Sequence, residues 1–383
     1  MILTNLKLKN FRNYEELDIP LYPGITIIYG DNGQGKTNIL ESIYVLAFTK
    51  SHRSFIDKNL IKNGKETSII KGTIQKDISY NLEIILNKGK KQIKIDNKIQ
   101  TKIGDYIEKM NIIIFYSDDL ELIKGSPSER RKYLNLELSQ ISPTYYNTIN
   151  DYNKLLKIRN DYLKQLNNDE KIDNNYFQIL TDYIVEKSIF IYQMRHKYIE
   201  RLNKICEDIF KDITNKEGFN IKYLSSIELK DLSKEKIRES MKKALANNID
   251  KEIKIGSTLY GPHHDDFEFH IKEDNLKFYG SQGQQRIAVL ALKLAEIQIL
   301  KDYKKTSPII LLDDVFSELD NEKKNNLLKF IDSANQVIIT TTDLENIDKN
   351  IINKSKLIKI HGGKVIEEVR EWKNITTNQI FRF

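Results

Sequence analysis

Gly30-Asp31-Asn32-Gly33-Gln34-Gly35-Lys36-Thr37 fits the pattern G-x-x-x-x-G-K-[ST], and it stands in the surroundings that the pattern needs. An apolar, β-rich run, Ile25 to Tyr29, precedes it. Behind it Ile39, Leu40, Ile43 and Leu46 recur at helical spacing, so the stretch predicts strand, glycine loop, helix. Glycines let the backbone curl until several N–H groups face one anion, at a helix N-terminus that already favours negative charge. In such a loop Lys36 reaches the β- and γ-phosphates and Thr37 places a hydroxyl on Mg²⁺. Residues 30–37 therefore predict a nucleoside triphosphate site.

Two later stretches carry matching chemistry. Ser281-Gln282-Gly283-Gln284-Gln285 precedes an apolar helical run, Arg286 to Ala295, and small polar residues with a glycine at a helix start again suit an anion. Ile309-Ile310-Leu311-Leu312-Asp313-Asp314 reads as a buried strand ending in two acids. The first carboxylate at such a strand end can hold Mg²⁺, and the second can orient or deprotonate an attacking water. Ser317-Glu318-Leu319-Asp320 follows, and Gln336 to Asp343 is one more strand with a polar tip.

The elements that must position these groups are legible in outline. Short alternating stretches over residues 3–28 predict strands, with Pro23-Gly24 as a turn, and 67–102 predicts a strand meander with a hairpin turn at 87–90. Tyr145, Ile149, Tyr152, Leu156, Leu163 and Leu166 fall on a 4-3-4 spacing, with Arg159 occupying one step. After a polar break at 167–169, a second stripe runs from Tyr176 to Phe210, so the two tracts predict an antiparallel helical hairpin. At 383 residues the chain has room for two or three lobes. Its net charge of +7 hints at a polyanionic partner. The single Cys206 excludes an internal disulfide and a cysteine-rich zinc site. With no signal-peptide pattern and no long uncharged apolar run, the expectation is a cytoplasmic protein without a membrane span. Two stretches, 50–71 and 87–102, each hold six basic residues against two acids and one acid respectively. Each suits either a solvated face or nucleic-acid phosphates. Arg53, Lys58, Lys62, Lys88, Lys90 and Lys91 are the candidate DNA contacts.

Phosphate loop, S-x-G-Q-Q, four apolar residues before Asp313-Asp314, S-x-L-D and a polar-tipped strand, in that order, resemble the ATP-binding-cassette ATPases. The long helical insertion resembles their SMC-like branch, which works on DNA. Within that branch the chain is similar to the RecF family. The resemblance rests on Leu8 to Tyr14, Lys50-Ser51-His52-Arg53, Lys124 to Pro127 with Arg130-Arg131, Tyr260 to His263, Gly280 to Gln285 and Leu312 to Asp320.

The resemblance implies an α/β fold. An ATP-binding-cassette head with a mixed sheet would be drawn from residues 1–120 and 255–383, and an α-helical hairpin lobe would be inserted at 121–254. It implies ATP and Mg²⁺ as cofactors, with Gly30, Asp31, Asn32, Gly33, Gln34, Gly35, Lys36 and Thr37 on the phosphates. Thr37 and Asp313 would hold the metal, and Lys36, Asp313 and Asp314 would be catalytic. Ser281, Gly283 and Gln284 would reach the γ-phosphate held by a second copy, and Asp320 would sit at that dimer interface. It further implies a slow ATPase serving as a switch, DNA binding near single-strand gaps, and RecR, RecO and RecA as partners. Two departures stand out. Thr342 occupies the place where most cassette ATPases carry histidine, as is common in RecF proteins. His264 stands where the family usually has arginine, which replaces a permanent guanidinium by a pH-sensitive imidazole. His263 and His264 beside Asp265 and Asp266 also leave open a structural turn or a metal site. At Asp118-Asp119, the place of a Q-loop, no glutamine stands. The competing functions are a transporter's ATPase subunit and an SMC-like break-repair ATPase.

Overall fold

A computed structural model of the chain describes residues 1–168, 173–317, 324, 327, 334–345 and 347–369. They form two compact units, one joining Met1–Asp118 with Leu300–Phe383 and the other made of Asp119–Ile299. The first stretch carries β1 (Ile2–Phe11), β2 (Tyr14–Pro20), β3 (Gly24–Tyr29), α1 (Lys36–Phe48), β4 (Thr67–Gln75), β5 (Ser79–Asn87), β6 (Lys90–Ile95), β7 (Lys98–Ile99), α2 (Ile103–Ile107) and β8 (Ile112–Phe115). The second unit carries α3 (Glu121–Lys124), α4 (Pro127–Ile141), α5 (Pro143–Asn167), α6 (Asn174–Thr214), β9 (Phe219–Leu224), α7 (Lys234–Asn247), α8 (Ile249–Ile255), β10 (Asp266–Ile271), β11 (Asp274–Asn275) and α9 (Leu276–Tyr279). Next comes α10 (Gln282–Lys304), and the chain returns with β12 (Ile309–Asp313), β13 (Gln336–Thr341), β14 (Ser355–His361) and β15 (Lys364–Val369).

In the first unit an antiparallel sheet runs β2-β1-β4-β5-β6-β7, and a mixed sheet runs β15-β14-β3-β13-β12-β8. Alternating burial along β4 marks a sheet with one covered face. In the mixed sheet β14, β3, β13, β12 and β8 are parallel and β15 is the antiparallel edge. Strand β12 is apolar up to Asp313, and β13 is buried along its whole length, polar ends included, as strands covered on both faces are. Helix α1 packs against both sheets and buries Ile39, Leu40, Ile43, Val45, Leu46 and Ala47, as a helix apolar on all sides must. The parallel register aligns Tyr29 with Thr341 and Asp313 with Thr340, so the three strands end together at one edge. Ligands bind at this carboxyl edge in parallel sheets.

In the second unit α5 and α6 form the expected hairpin, and the stripe residues Tyr145, Ile149, Tyr152 and Leu163 are buried. Arg159, inside the same stripe, is fully buried and paired with Glu252 at 2.8 Å. Residues 255–299, which the sequence reading assigns to the head, pack with this unit. Here β10 pairs with β9, and Arg130 on α4 holds Asp266 through two hydrogen bonds of 2.6 and 2.8 Å.

Among the described residues no helix is long and apolar enough to cross a membrane.

Candidate functional site

The glycine loop leaves β3 and enters α1 as its pattern predicts. Gly30 sits at φ +146°, and a Cβ there would lie 2.3 Å from the Ile360 carbonyl oxygen, so the loop's first position accepts only glycine. Neighbouring turns brace the rest. Tyr14 donates its hydroxyl to Gly35 O at 3.0 Å, and Asn13 Nδ2 donates to Gln34 O at 3.2 Å. From the β14–β15 turn, Gly362 N–H donates to Gln34 Oε1 at 2.6 Å and Gly363 N–H to Gln34 O at 3.2 Å. Sequence reasoning missed these braces, although Asn13 and Tyr14 belong to one of the family blocks.

Lys36 folds back and donates to Gly30 O at 2.6 Å and Asp31 O at 2.8 Å. Burial pulls its ammonium below the usual range, while Asp314, Asp313 and Asp31 oppose that shift. One residue on, Thr37 Oγ1 donates to Asp313 Oδ1 at 3.0 Å, and Thr340 Oγ1 donates to the same oxygen at 2.6 Å. The structure thus brings together residues 276 positions apart, and adds Thr340, whose place beneath a polar strand tip was the only signal. Asp314 follows at φ +54° with its N–H on Thr340 O at 3.1 Å, and its side chain is exposed. A non-glycine residue held in this region costs about 1 kcal/mol or more, and such outliers gather at functional sites.

Ser281, Gly283 and Gln284 open α10 in the second unit. Ser281 N–H donates to Gln284 Oε1 at 2.8 Å and Gln284 N–H to Ser281 Oγ at 3.3 Å, a reciprocal cap. Among the described residues a Cβ on Gly283 would approach only Ser281 Oγ, at 3.9 Å, so their packing does not require the glycine. Asp320 lies outside the described residues.

The basic candidates differ in their engagements. Arg53 Nη1 donates to Asn38 Oδ1 at 2.9 Å, beside the phosphate loop, and lies 3.4 Å from Glu41. Lys62 faces Glu15 at 3.6 Å, Lys88 faces Glu66 at 3.2 Å and Lys91 faces Asp57 at 2.8 Å. Lys58 and Lys90 are exposed. Asp119 is buried in the second unit with Lys293 at 3.4 Å. The His263 ring lies between Tyr152 and Thr258, and His264 Nε2 is 3.0 Å from the same Thr258 oxygen. Asp265 is held by Tyr223, Ser226 and Arg195, and Asp266 by Arg130. The carboxylates of this block are thereby spent on the unit's own structure. Among the described residues no group of three or more His, Cys, Asp and Glu is placed to hold a metal.

The family model described as the RecF/RecN/SMC N terminal domain matches residues 2–364. The chain is 38% identical to the DNA replication and repair protein RecF of Ligilactobacillus salivarius, over 96% of its own length and 98% of that protein's. It is 39% identical to that of Staphylococcus carnosus, over 96% and 100%. A solved structure, the recombination mediator protein RecF with ATP in the RecFOR pathway, superposes with a TM-score of 0.89 at 32% identity, covering 96% of this chain and 97% of that one. An SMC head bound to the C-winged helix domain of ScpA shares the fold, at a TM-score of 0.53 and 17% identity.

Proposed function

We propose, from the premise that this chain belongs to the RecF family of the RecF/RecN/SMC ATPases, that it is an ATP-gated DNA-binding protein of replication and recombinational repair. The observation that carries the reading is the joined edge where Thr37, Asp313 and Thr340 meet beside the glycine loop. That edge is a phosphate site with a hard-cation donor set.

Thr37 Oγ1 and Asp313 Oδ1, 3.0 Å apart, fit Mg²⁺, which takes one or two protein oxygens and leaves its other positions to phosphates and water. When bound, the ion neutralises charge on the β- and γ-phosphate oxygens. The chain's own residues do the rest. Loop N–H groups of 30–37 cradle the phosphates, and the Lys36 ammonium leaves its two carbonyl partners for them. Thr340 fixes the Asp313 carboxylate, so that oxygen is oriented before a ligand arrives. Asp314, exposed at the end of β12, is the base that orients a water and takes its proton. Ser281, Gly283 and Gln284 present a capped helix start and open space to the γ-phosphate on a second copy, so ATP closes a head-to-tail dimer. Hydrolysis then resets the dimer. Arg53, Lys58, Lys62, Lys88, Lys90 and Lys91 meet DNA phosphates, and RecR, RecO and RecA are the partners at single-strand gaps.

Sedimentation of the wild type and Lys36→Arg, with and without ATP and gapped DNA at two salt concentrations, tests this. Wild-type protein is expected to dimerise and hold DNA only with ATP, with affinity falling as salt rises. Lys36→Arg is expected to do neither. ATP binding that changes neither mass nor DNA affinity overturns the reading in favour of a transporter-type ATPase.

A further inference from the structure

Glu41 is fully buried on α1, one turn beyond the phosphate loop, and has no part in the chemistry described above. It gathers the donors around it. Arg12 grips it with two bonds, Nε to Oε2 at 2.9 Å and Nη2 to Oε1 at 2.6 Å. Ser51 donates its hydroxyl to Oε1 at 2.6 Å, and Arg53 Nη1 lies 3.4 Å from Oε2. Burial works against the charge, but these donors outweigh it and hold the carboxyl below its usual range. Two guanidiniums share one carboxylate, and the closer Arg12 neutralises it. Arg53, the more exposed of the two, is left with charge to offer elsewhere.

From Arg53 a continuous chain of bonds runs to the phosphate loop. Arg53 Nη1 donates to Asn38 Oδ1 at 2.9 Å, Asn38 Nδ2 to Asn13 Oδ1 at 2.8 Å, and Asn13 Nδ2 to Gln34 O at 3.2 Å. On the other side Ser51 Oγ accepts the N–H groups of Arg53 and Ser54, at 2.9 and 3.0 Å, while it donates to Glu41. Arg12 also donates to Asn59 O at 2.8 Å. One carboxylate therefore sets the conformation of the basic segment 51–59 and orients the arginine that connects it to Gln34.

We propose that Glu41 is a positioning residue that couples occupancy of the basic segment by a nucleic-acid backbone to the phosphate loop, through Arg53, Asn38 and Asn13. This rests on the ATP-gated DNA-binding reading. When a DNA phosphate draws Arg53 away, Asn38 loses a donor, its amide reorients, and the Asn13 brace on Gln34 changes. The Arg12 pair keeps Glu41 satisfied throughout, so the exchange leaves no buried charge unpaired. Linkage then requires that ATP change DNA affinity by the same factor as DNA changes ATP affinity.

The test measures the affinity of a slowly hydrolysed ATP analogue with and without duplex DNA, for the wild type, Glu41→Gln and Asn38→Ala. Glu41→Gln keeps the size and removes the charge. Asn38→Ala cuts the same chain at a half-buried site and keeps the fold if the Glu41 variant does not. In the wild type DNA is expected to shift analogue affinity about tenfold, within the usual range of coupling. In both variants the shift is expected to fall to about twofold or less, with DNA-free affinity within about threefold of wild type. Asn38→Ala is expected to keep the wild-type melting temperature, whereas Glu41→Gln, which leaves Arg12 without its carboxylate, is expected to melt lower. A full shift retained in folded Asn38→Ala overturns the inference and leaves the function standing. No shift in the wild type overturns the function itself.

Discussion

At His263 two hydrogen bonds fix one tautomer. Thr258 O can only accept, so Nε2 carries the proton, at 3.1 Å, and Nδ1 is left to accept from the Tyr152 hydroxyl at 2.5 Å. Burial, with His264, Arg131 and Arg195 nearby, pushes the imidazole down to about 3, against the one favourable contact with Thr258. A free histidine takes up its proton near 6.5, so the unfolded chain protonates first as pH falls. Stability from this residue is therefore full above about 6.5 and drains away towards 3, by about 1.4 kcal/mol per pH unit in the steep part. Buried Glu137 and Glu296 are raised by burial, Glu296 to about 7, and act with the opposite sign. Only the difference between wild type and His263→Gln isolates the histidine. Urea unfolding at pH 5.5 and 7.5 is expected to show the wild type losing about 1 kcal/mol more than the variant between the two, and equal losses would show that His263 is not held neutral. From the sequence, two histidines before two aspartates offer a turn or a ligand set equally well. The choice is made by Tyr152, Arg195 and Arg130, which lie 70 to 136 positions away and leave no mark nearby. The loop at Lys36 and Thr37 and the strand end at Asp313 were legible as local structure because each is written in its own contiguous pattern.

Among elements, the phosphate loop shows what a local pattern fixes and what it leaves to its neighbours. Gly30 and Gly33 are both written into the motif, but the structure asks different things of them. At Gly30 a methyl group would meet the β14 backbone, which cannot yield as a flexible side chain would. At Gly33, φ +77°, a methyl group meets nothing within 4 Å among the described residues and carries the left-handed backbone cost of about 1 kcal/mol. Gly30→Ala is therefore expected to destabilise the chain by clearly more than Gly33→Ala, by about 2 kcal/mol or beyond, and to weaken ATP binding further. Thermal melts with and without ATP compare the two, and equal melting temperatures would refute the close approach. The long helices were readable because a 3.6-residue period repeats over many turns in α5 and α6. Pairing of β1 with β4 was not, since nothing in a strand names a partner some 60 residues on. The same reason hid the packing of 255–299 with the inserted unit. Strand β10 pairs with β9 across α7 and α8, and Arg130 on α4 reaches Asp266 across the whole hairpin, separations that no local pattern announces.

For the whole molecule the decisive question is whether one chain makes a nucleotide site alone. The phosphate loop and Asp313 lie in one compact unit, and the helix start at Ser281 belongs to the other, its glycine not required by packing among the described residues. In the proposed two-fold dimer, joined head to tail, each surface is used once on each copy and the assembly closes without forming a filament. That symmetry has a consequence for mixtures. Lys36→Ala spoils the loop and Ser281→Arg spoils the helix start, and each homodimer then carries two damaged sites. A mixed dimer, however, pairs the sound loop of one copy with the sound helix start of the other and concentrates both lesions in the second site. Mixing the two inactive variants is therefore expected to restore ATP-dependent dimerisation and a fraction of the wild-type ATPase rate. Random pairing at equal concentrations makes about half of the dimers mixed, each with one sound site, which places the rate near a quarter of wild type if sites fire independently. If every chain completed its own site, no combination of the two variants would contain a sound one, and the mixture would stay as inactive as its parts.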